Sequence, residues 1–252
     1  MGLTIWTELK KLFGDYHIYL CMAGLGLVYF FTYLGTLSTN TYRFGVVASY
    51  QNVSTGSEIM LLAFLLCIVG GSFLYCAEEK HNYLNFEIQR IGVRKYTISK
   101  LLVSVAGGFS TLVVGELIYL SGILLHHWYV FGGISFLEEN WMRVVWLCMF
   151  SALCCGVLAA IGFLVSTYVP NYYIAMTVPL ILYYFILEME SWISLYLPMI
   201  PKKLFFTDVY CAGRIEGDDL QEFLFALLYT ACILVIMYRM AKERIERRLE
   251  HA

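Results

Sequence analysis

Charge is what this sequence has least of. Asp, Glu, Lys and Arg make up 14% of its 252 residues, against about 25% in an ordinary soluble domain. The deficit is concentrated. No charged side chain occurs between Asp15 and Arg43, between Glu58 and Glu78, or between Arg143 and Glu188. A soluble core helix has no need of such runs, whereas a helix that crosses a bilayer needs about 20 apolar residues. The first two runs are each long enough to cross once, and the third is long enough to cross twice. Net basic charge is also lacking: the formal charge is −2, so nothing points to nucleic acid. None of the eight cysteines forms a Cys-x-x-Cys pair, and all but Cys211 sit in or beside apolar runs, as small packed thiols do. There is no G-x-x-x-x-G-K-[ST] loop, which excludes ATP binding of that kind by this chain.

Apolar residues, by contrast, amount to 60%. They do not alternate with polar ones as the strands of a transmembrane barrel would; Met60-Leu-Leu-Ala-Phe-Leu-Leu-Cys-Ile-Val is continuous. Backbone polar groups inside lipid must bond within their own segment, so such runs are helices. The expected fold is all-α: a polytopic membrane protein forming a single transmembrane domain over 1–252, with six transmembrane helices. Residues 1–15 read as an interfacial helix, with Ile5, Trp6, Leu9, Leu12 and Phe13 on one face and Glu8, Lys10 and Lys11 on the other. Spans one and two fall within 16–76, joined by a polar segment at 38–57. A charged loop occupies 77–100, spans three to five lie within 101–187, span six within 221–241, and a basic tail covers 242–252. Between spans five and six, 188–220 holds an apolar piece too short to cross, broken by Pro198 and Pro201. It reads as an outer re-entrant hairpin.

Lys and Arg set the orientation. Lys10, Lys11, Lys80, Arg90, Arg94, Lys95, Lys100, Arg239, Lys242, Arg244, Arg247 and Arg248 fall on one side of this layout. Arg43, Arg143, Lys202, Lys203 and Arg214 fall on the other. Both termini are therefore expected in the cytoplasm, with the chain in the cell membrane as a multi-pass protein.

The loop at 77–100 is the most informative segment. Glu78 and Glu79 leave the second span. Leu84, Ile88 and Ile91 then mark one face of a short amphipathic helix that also carries Glu87, with Gly92 placed to end it. Arg94, Lys95 and Lys100 follow. This order of features resembles the cytoplasmic loop of the ABC-2 type permeases, the membrane subunits of ABC exporters. An acidic residue, a short helix, a Gly turn with a basic residue and a Lys opening the third span match in sequence. The Gly-Thr usual in that family after the acidic residue is replaced by Asn82-Tyr83. The resemblance implies that residues 78–100 are a coupling helix docking on a separate ABC ATPase subunit. It implies no cofactor in this chain, with ATP and Mg on the partner ATPase. It also implies a second permease copy, as a homodimer or with a close paralogue, enclosing a path between spans one, two and five. The compact chain resembles small exporters of drugs or amphipathic peptides, such as those that export phenol-soluble modulins.

Glu116 is the one charge inside a span. At the bilayer centre it costs about 2.5–3.5 kcal/mol, so it should face other helices. A structural hydrogen bond is preferred to a relay role, because there is no second carboxylate within the spans. Tyr29, Tyr33, Tyr183 and Tyr184 are candidates for the substrate path, with helix packing as the plainer account. No catalytic or metal residues are assigned and the chain is not expected to be an enzyme. Glu78-Glu79 lacks the Arg of an intramembrane protease motif, with Tyr83 in its place. Ser121 and His126 share a helix, and His126-His127 offers too few ligands for a metal. The alternatives to an exporter are a non-transporting immunity or sensor protein and an ion-coupled carrier. The second would bring inverted repeats, and none is visible.

Overall fold

The computed structural model describes residues 2–39, 46–54, 57–80, 83–131, 141–196, 205–210 and 219–250, and among them every regular element is helical. The order is α1 (Gly2–Gly14), α2 (Tyr16–Thr39), α3 (Val46–Ser54), α4 (Ser57–Lys80), α5 (Tyr83–Ile91), α6 (Val93–Phe131), α7 (Trp141–Tyr168), α8 (Tyr172–Tyr196), α9 (Phe206–Tyr210) and α10 (Asp219–Glu250). Five helices, α2, α6, α7, α8 and α10, are long and apolar enough to cross a membrane. A sixth is added if α3 and Ile59–Ser72 of α4 are taken as one bent span. The architecture is that of a helical membrane protein.

α7 is the central helix and packs against α4, α6, α8 and α10. Its sequence explains the position. From Ala152 to Gly162 it carries Ala, Cys and Gly at most turns, and most of that stretch is fully buried. In lipid, helices gain little from hiding apolar surface from one another, so close backbone approach between small residues holds them together. Gly71 of α4, Gly107 and Gly108 of α6, and Cys155 and Ala159 of α7 form such a seam. A Cβ at Gly71 would lie 2.5 Å from the Ser104 carbonyl oxygen and 2.6 Å from Ala159 Cβ; one at Gly108 would lie 2.6 Å from the Cys155 carbonyl oxygen. Further along that face of α7 lies Gly162, where α8 comes close: Pro179 sits inside α8 and offers no N–H to the carbonyl of Ala175. That oxygen lies 3.1 Å from where a Cβ at Gly162 would be. The missing side chain lets the released carbonyl rest against α7.

Four boundaries differ from the sequence reading, each for a physical reason. The polar segment at 38–57 contains a helix, α3, with Val46, Val47, Tyr50 and Val53 buried; its apolar face is short and mixed with Ser, Gln and Asn, which disguised it. Gly92, at φ +80°, ends α5 as expected. Because it is the sole residue between helices, α6 starts at Val93, and Arg94, Lys95 and Lys100 are helical rather than loop. α8 runs on to Tyr196, so Trp192–Tyr196 extends span five and does not begin a separate hairpin helix. The rest of the expected hairpin at 197–204 and 211–218 lies outside the described residues, while α9 between those stretches packs on α7, α8 and α10. Span six and the basic tail are one helix, α10.

Filling the seam should be costly where filling a glycine that faces open space is not. Gly108→Leu is expected to destabilise the purified protein by about 1–3 kcal/mol through overpacking. Gly24→Ala, where no atom lies within 4 Å of the added methyl, should leave it unchanged. Thermal unfolding in detergent, followed by size-exclusion chromatography, measures both.

Candidate functional site at the basic end of the bundle

The segments that carry the Lys and Arg excess gather at one end of the molecule. α1, the end of α4, α5, the start of α6 and the end of α10 meet there through ion pairs. Lys100 is the centre. It lies two turns into α6, is 2% exposed, and its ammonium is paired with Glu8 of α1 and Glu78 of α4, with Glu87 of α5 at 3.9 Å. Tyr96, one turn earlier on α6, donates its hydroxyl to Glu78 at 2.9 Å. Lys11 closes the group from the open side, bonding Glu8 at 2.9 Å and Glu87, with Glu78 at 3.4 Å.

Helical spacing produces this convergence. Glu8 and Lys11 are i, i+3 on α1, and Leu12 continues the same buried face. This corrects the sequence reading of α1, in which Glu8 sat opposite Leu12. The helix turns Leu12 and Glu8 inward together because Lys100 supplies Glu8 with a counter-charge, and it leaves Trp6 and Phe13 exposed. Burial by itself would raise the Glu8 carboxyl, but the charges and hydrogen bonds of Lys100 and Lys11 hold it below its ordinary value of 4.5. Burial would lower the Lys11 ammonium, but hydrogen bonds to Glu87 and Glu8 raise it above its ordinary value of 10.5.

Glu8, Glu78 and Glu87 bring carboxylate oxygens within 4.8 Å of one another, a spacing that could hold a divalent cation. The two ammonium groups fill that position instead, so the arrangement works as an ion-pair network. A second pair adds α10: Arg248 donates to Glu79 from two guanidinium nitrogens, at 2.9 and 2.5 Å, and to the Tyr75 hydroxyl at 3.3 Å.

The expected coupling residues therefore divide. Glu78, Glu79, Glu87 and Lys100 turn inward to each other or to α10. Ile88 is buried against the core that contains Tyr75 and Tyr96, with Leu84 and Ile91 packed beside it. Arg94 and Lys95 remain exposed. Missed in the sequence reading are Tyr83, 62% exposed, Phe86, 64% exposed, and Arg90 on the outer face of α5. The signal was present: positions 83, 86 and 90 form the stripe opposite Leu84, Ile88 and Ile91. Together they make an aromatic and basic ridge mounted on the network.

The expected path residues divide as well. Tyr29 and Tyr33 are buried and pack on Tyr119 of α6, at ring distances of 5.4 and 6.5 Å, and the Tyr33 hydroxyl meets His126 Nδ1 at 3.0 Å. Glu116 belongs to the same cluster and accepts the Tyr50 hydroxyl at 2.5 Å. Tyr183 lies elsewhere, against Phe64 and Phe206, and Tyr184 faces outward.

No protein-family model, curated protein or solved structure matches this chain.

Removing Lys100 should strand its carboxylates. Lys100→Met is expected to cost about 3–5 kcal/mol, the penalty for breaking a buried pair. Lys100→Met combined with Glu8→Gln and Glu78→Gln should recover part of it. Lys11→Met, at a half-exposed site, should cost under about 1 kcal/mol. The pH dependence follows from the same shifts. Glu8, lowered when folded, contributes above pH 4.5, and the contribution is lost as pH falls through its lowered value. Lys11, raised when folded, contributes below pH 10.5 and loses it as pH rises through its raised value. Thermal stability across pH should be flat between those limits and fall outside them, and Lys100→Met should flatten the acid limb.

Proposed function

We propose that this chain is the membrane subunit of an ABC-2 type exporter in the cytoplasmic membrane, with the basic end and both termini inside. It would pair with a second permease and two separate ATPase subunits that bind ATP and Mg, and export amphipathic peptides or drugs. The observation that carries the reading is the ridge of Tyr83, Phe86, Arg90, Arg94 and Lys95, exposed on a short helix that is itself fixed from behind. A force applied to α5 by a docked ATPase needs a stiff route to the spans. Glu87 joins α5 to Lys11 and Lys100, Gly92 joins it directly to α6, and Glu79 joins the end of α4 to α10. The ridge has the character of a docking site: aromatic and Arg side chains are the usual anchors of protein interfaces. The inward residues Glu78, Glu79, Glu87 and Lys100 act as positioning groups behind it.

Solubilisation from the native membrane in mild detergent, followed by purification and an ATPase assay, tests the reading. A stoichiometric ATP-hydrolysing subunit should accompany the chain. Phe86→Ala combined with Arg94→Glu should lower its recovery by about tenfold or more, as loss of an interface anchor does, without changing the stability of the permease. Recovery of the chain with no nucleotide-dependent partner would overturn it.

A further inference from the structure

Among the described residues, α3 taken apart from α4 is a short helix buried deep in the bundle. It is nine residues long, Val-Val-Ala-Ser-Tyr-Gln-Asn-Val-Ser, far too short to cross. Yet Val46, Tyr50 and Val53 are each about as buried as any core residue, and α3 touches α2, α4, α6 and α7 together. It enters the bundle at the end opposite the ion-pair network, where α2 ends and α4 begins. Two polar links fix its depth. Tyr50 donates its hydroxyl to Glu116 at 2.5 Å, and Tyr119, one turn further along α6, donates its hydroxyl to the Ser49 carbonyl at 3.2 Å. The rings of Tyr50 and Tyr119 stack at 5.7 Å. Cys148 of α7 lies against the same Glu116 carboxylate.

We propose that α3 is a plug for the outer half of the bundle, latched to α6 through Tyr50–Glu116 and Tyr119–Ser49, and that releasing the latch opens the bundle interior to the outer side. The division of labour supports a removable element. Glu116 sits between the spans α6 and α7, with Cys148 of α7 against it, so the carboxylate keeps a partner within the bundle when the Tyr50 hydroxyl of α3 leaves. α3 also carries Ser49, Gln51, Asn52 and Ser54, groups that water can solvate once the helix leaves the bundle. Val46, Val47, Tyr50 and Val53 hold it by burial, and the two polar links fix its depth and register. α6 is unbroken from Lys100 to Glu116, a rise of about 24 Å, so one rigid element bears both the ion-pair network and the latch. That α3 is the outer gate of an export path rests on the permease reading; the plug itself rests on the geometry.

Cys148 is the reporter behind the plug. In a variant retaining it as the single cysteine, reconstituted in proteoliposomes with the basic end inside, the rate of reaction with a membrane-impermeant maleimide is measured from outside. Tyr50→Phe and Tyr119→Phe, which leave the Glu116 carboxylate beside Cys148 in place, should each raise that rate about tenfold, the loss of one hydrogen bond. Unchanged labelling in both folded variants would overturn the plug. Hydrogen exchange of the unmutated chain in lipid nanodiscs covers the case in which neither variant folds. Amides of 46–54 should exchange about tenfold faster or more than those of 112–123, as a unit that opens locally does; equal protection would overturn the proposal. Neither measurement involves an ATPase. Labelling that rises while no ATPase accompanies the chain would leave the plug standing and remove the exporter reading, and the converse result would do the opposite.

Discussion

A buried ammonium has to be answered by carboxylates, and at Lys100 this requirement shapes one whole end of the molecule. Lys100 is fixed in position by α6, but its counter-charges come from three other helices: Glu8 from α1, Glu78 from α4 and Glu87 from α5. None of these carboxylates reaches Lys100 unless its helix docks. The pairing therefore dictates where the N-terminal helix lies, which face it turns inward, and how α5 sits against the ends of the spans. Desolvation makes such a group expensive when it is incomplete, so the four helices are held as a set. The Glu79–Arg248 pair extends the set to α10.

The middle of the bundle is held by a different force. The seam through Gly71, Gly108 and Ala159 needs no charge, only the absence of side chains. It brings α4, α6 and α7 into backbone contact where lipid offers no hydrophobic drive. Because α6 passes through both the network and the seam before reaching Glu116, the two ends of the molecule share one continuous helix. On the proposed reading, the arrangement relates an ATPase-facing ridge at one end to a latched plug at the other. The exposed faces of α8 and α10 are those expected to meet lipid or the second permease.

Much of this was legible in the sequence because charge and apolar length are blunt signals. Runs without charge located the spans, and the Lys and Arg excess picked out segments that do converge at one end. Gly92 announced its turn because few other residues tolerate its φ. Contacts that depend on three-dimensional pairing were not legible. Glu8 looked solvent-facing because its partner is 92 residues away. α3 looked like loop because its burial is against other helices and its composition is half polar. Glu78, Glu79 and Glu87 could be placed in the right loop, but the direction in which each points was set by Lys100, Lys11 and Arg248. Tyr83, Phe86 and Arg90 lie on the exposed stripe opposite the apolar one, and apolar periodicity marks the buried stripe and not the stripe that carries the ridge.

The central claim is that Lys100 holds α1, α5 and α6 as one body. Spin labels at Lys10 and Arg90, one on the outer surface of α1 and one on that of α5, report it directly through their distance distribution in lipid nanodiscs. A single narrow distribution in the otherwise unmutated chain, broadened by Lys100→Met while the spans stay folded, is the predicted result. A broad distribution from the outset, or a narrow one that survives Lys100→Met unchanged, would contradict it.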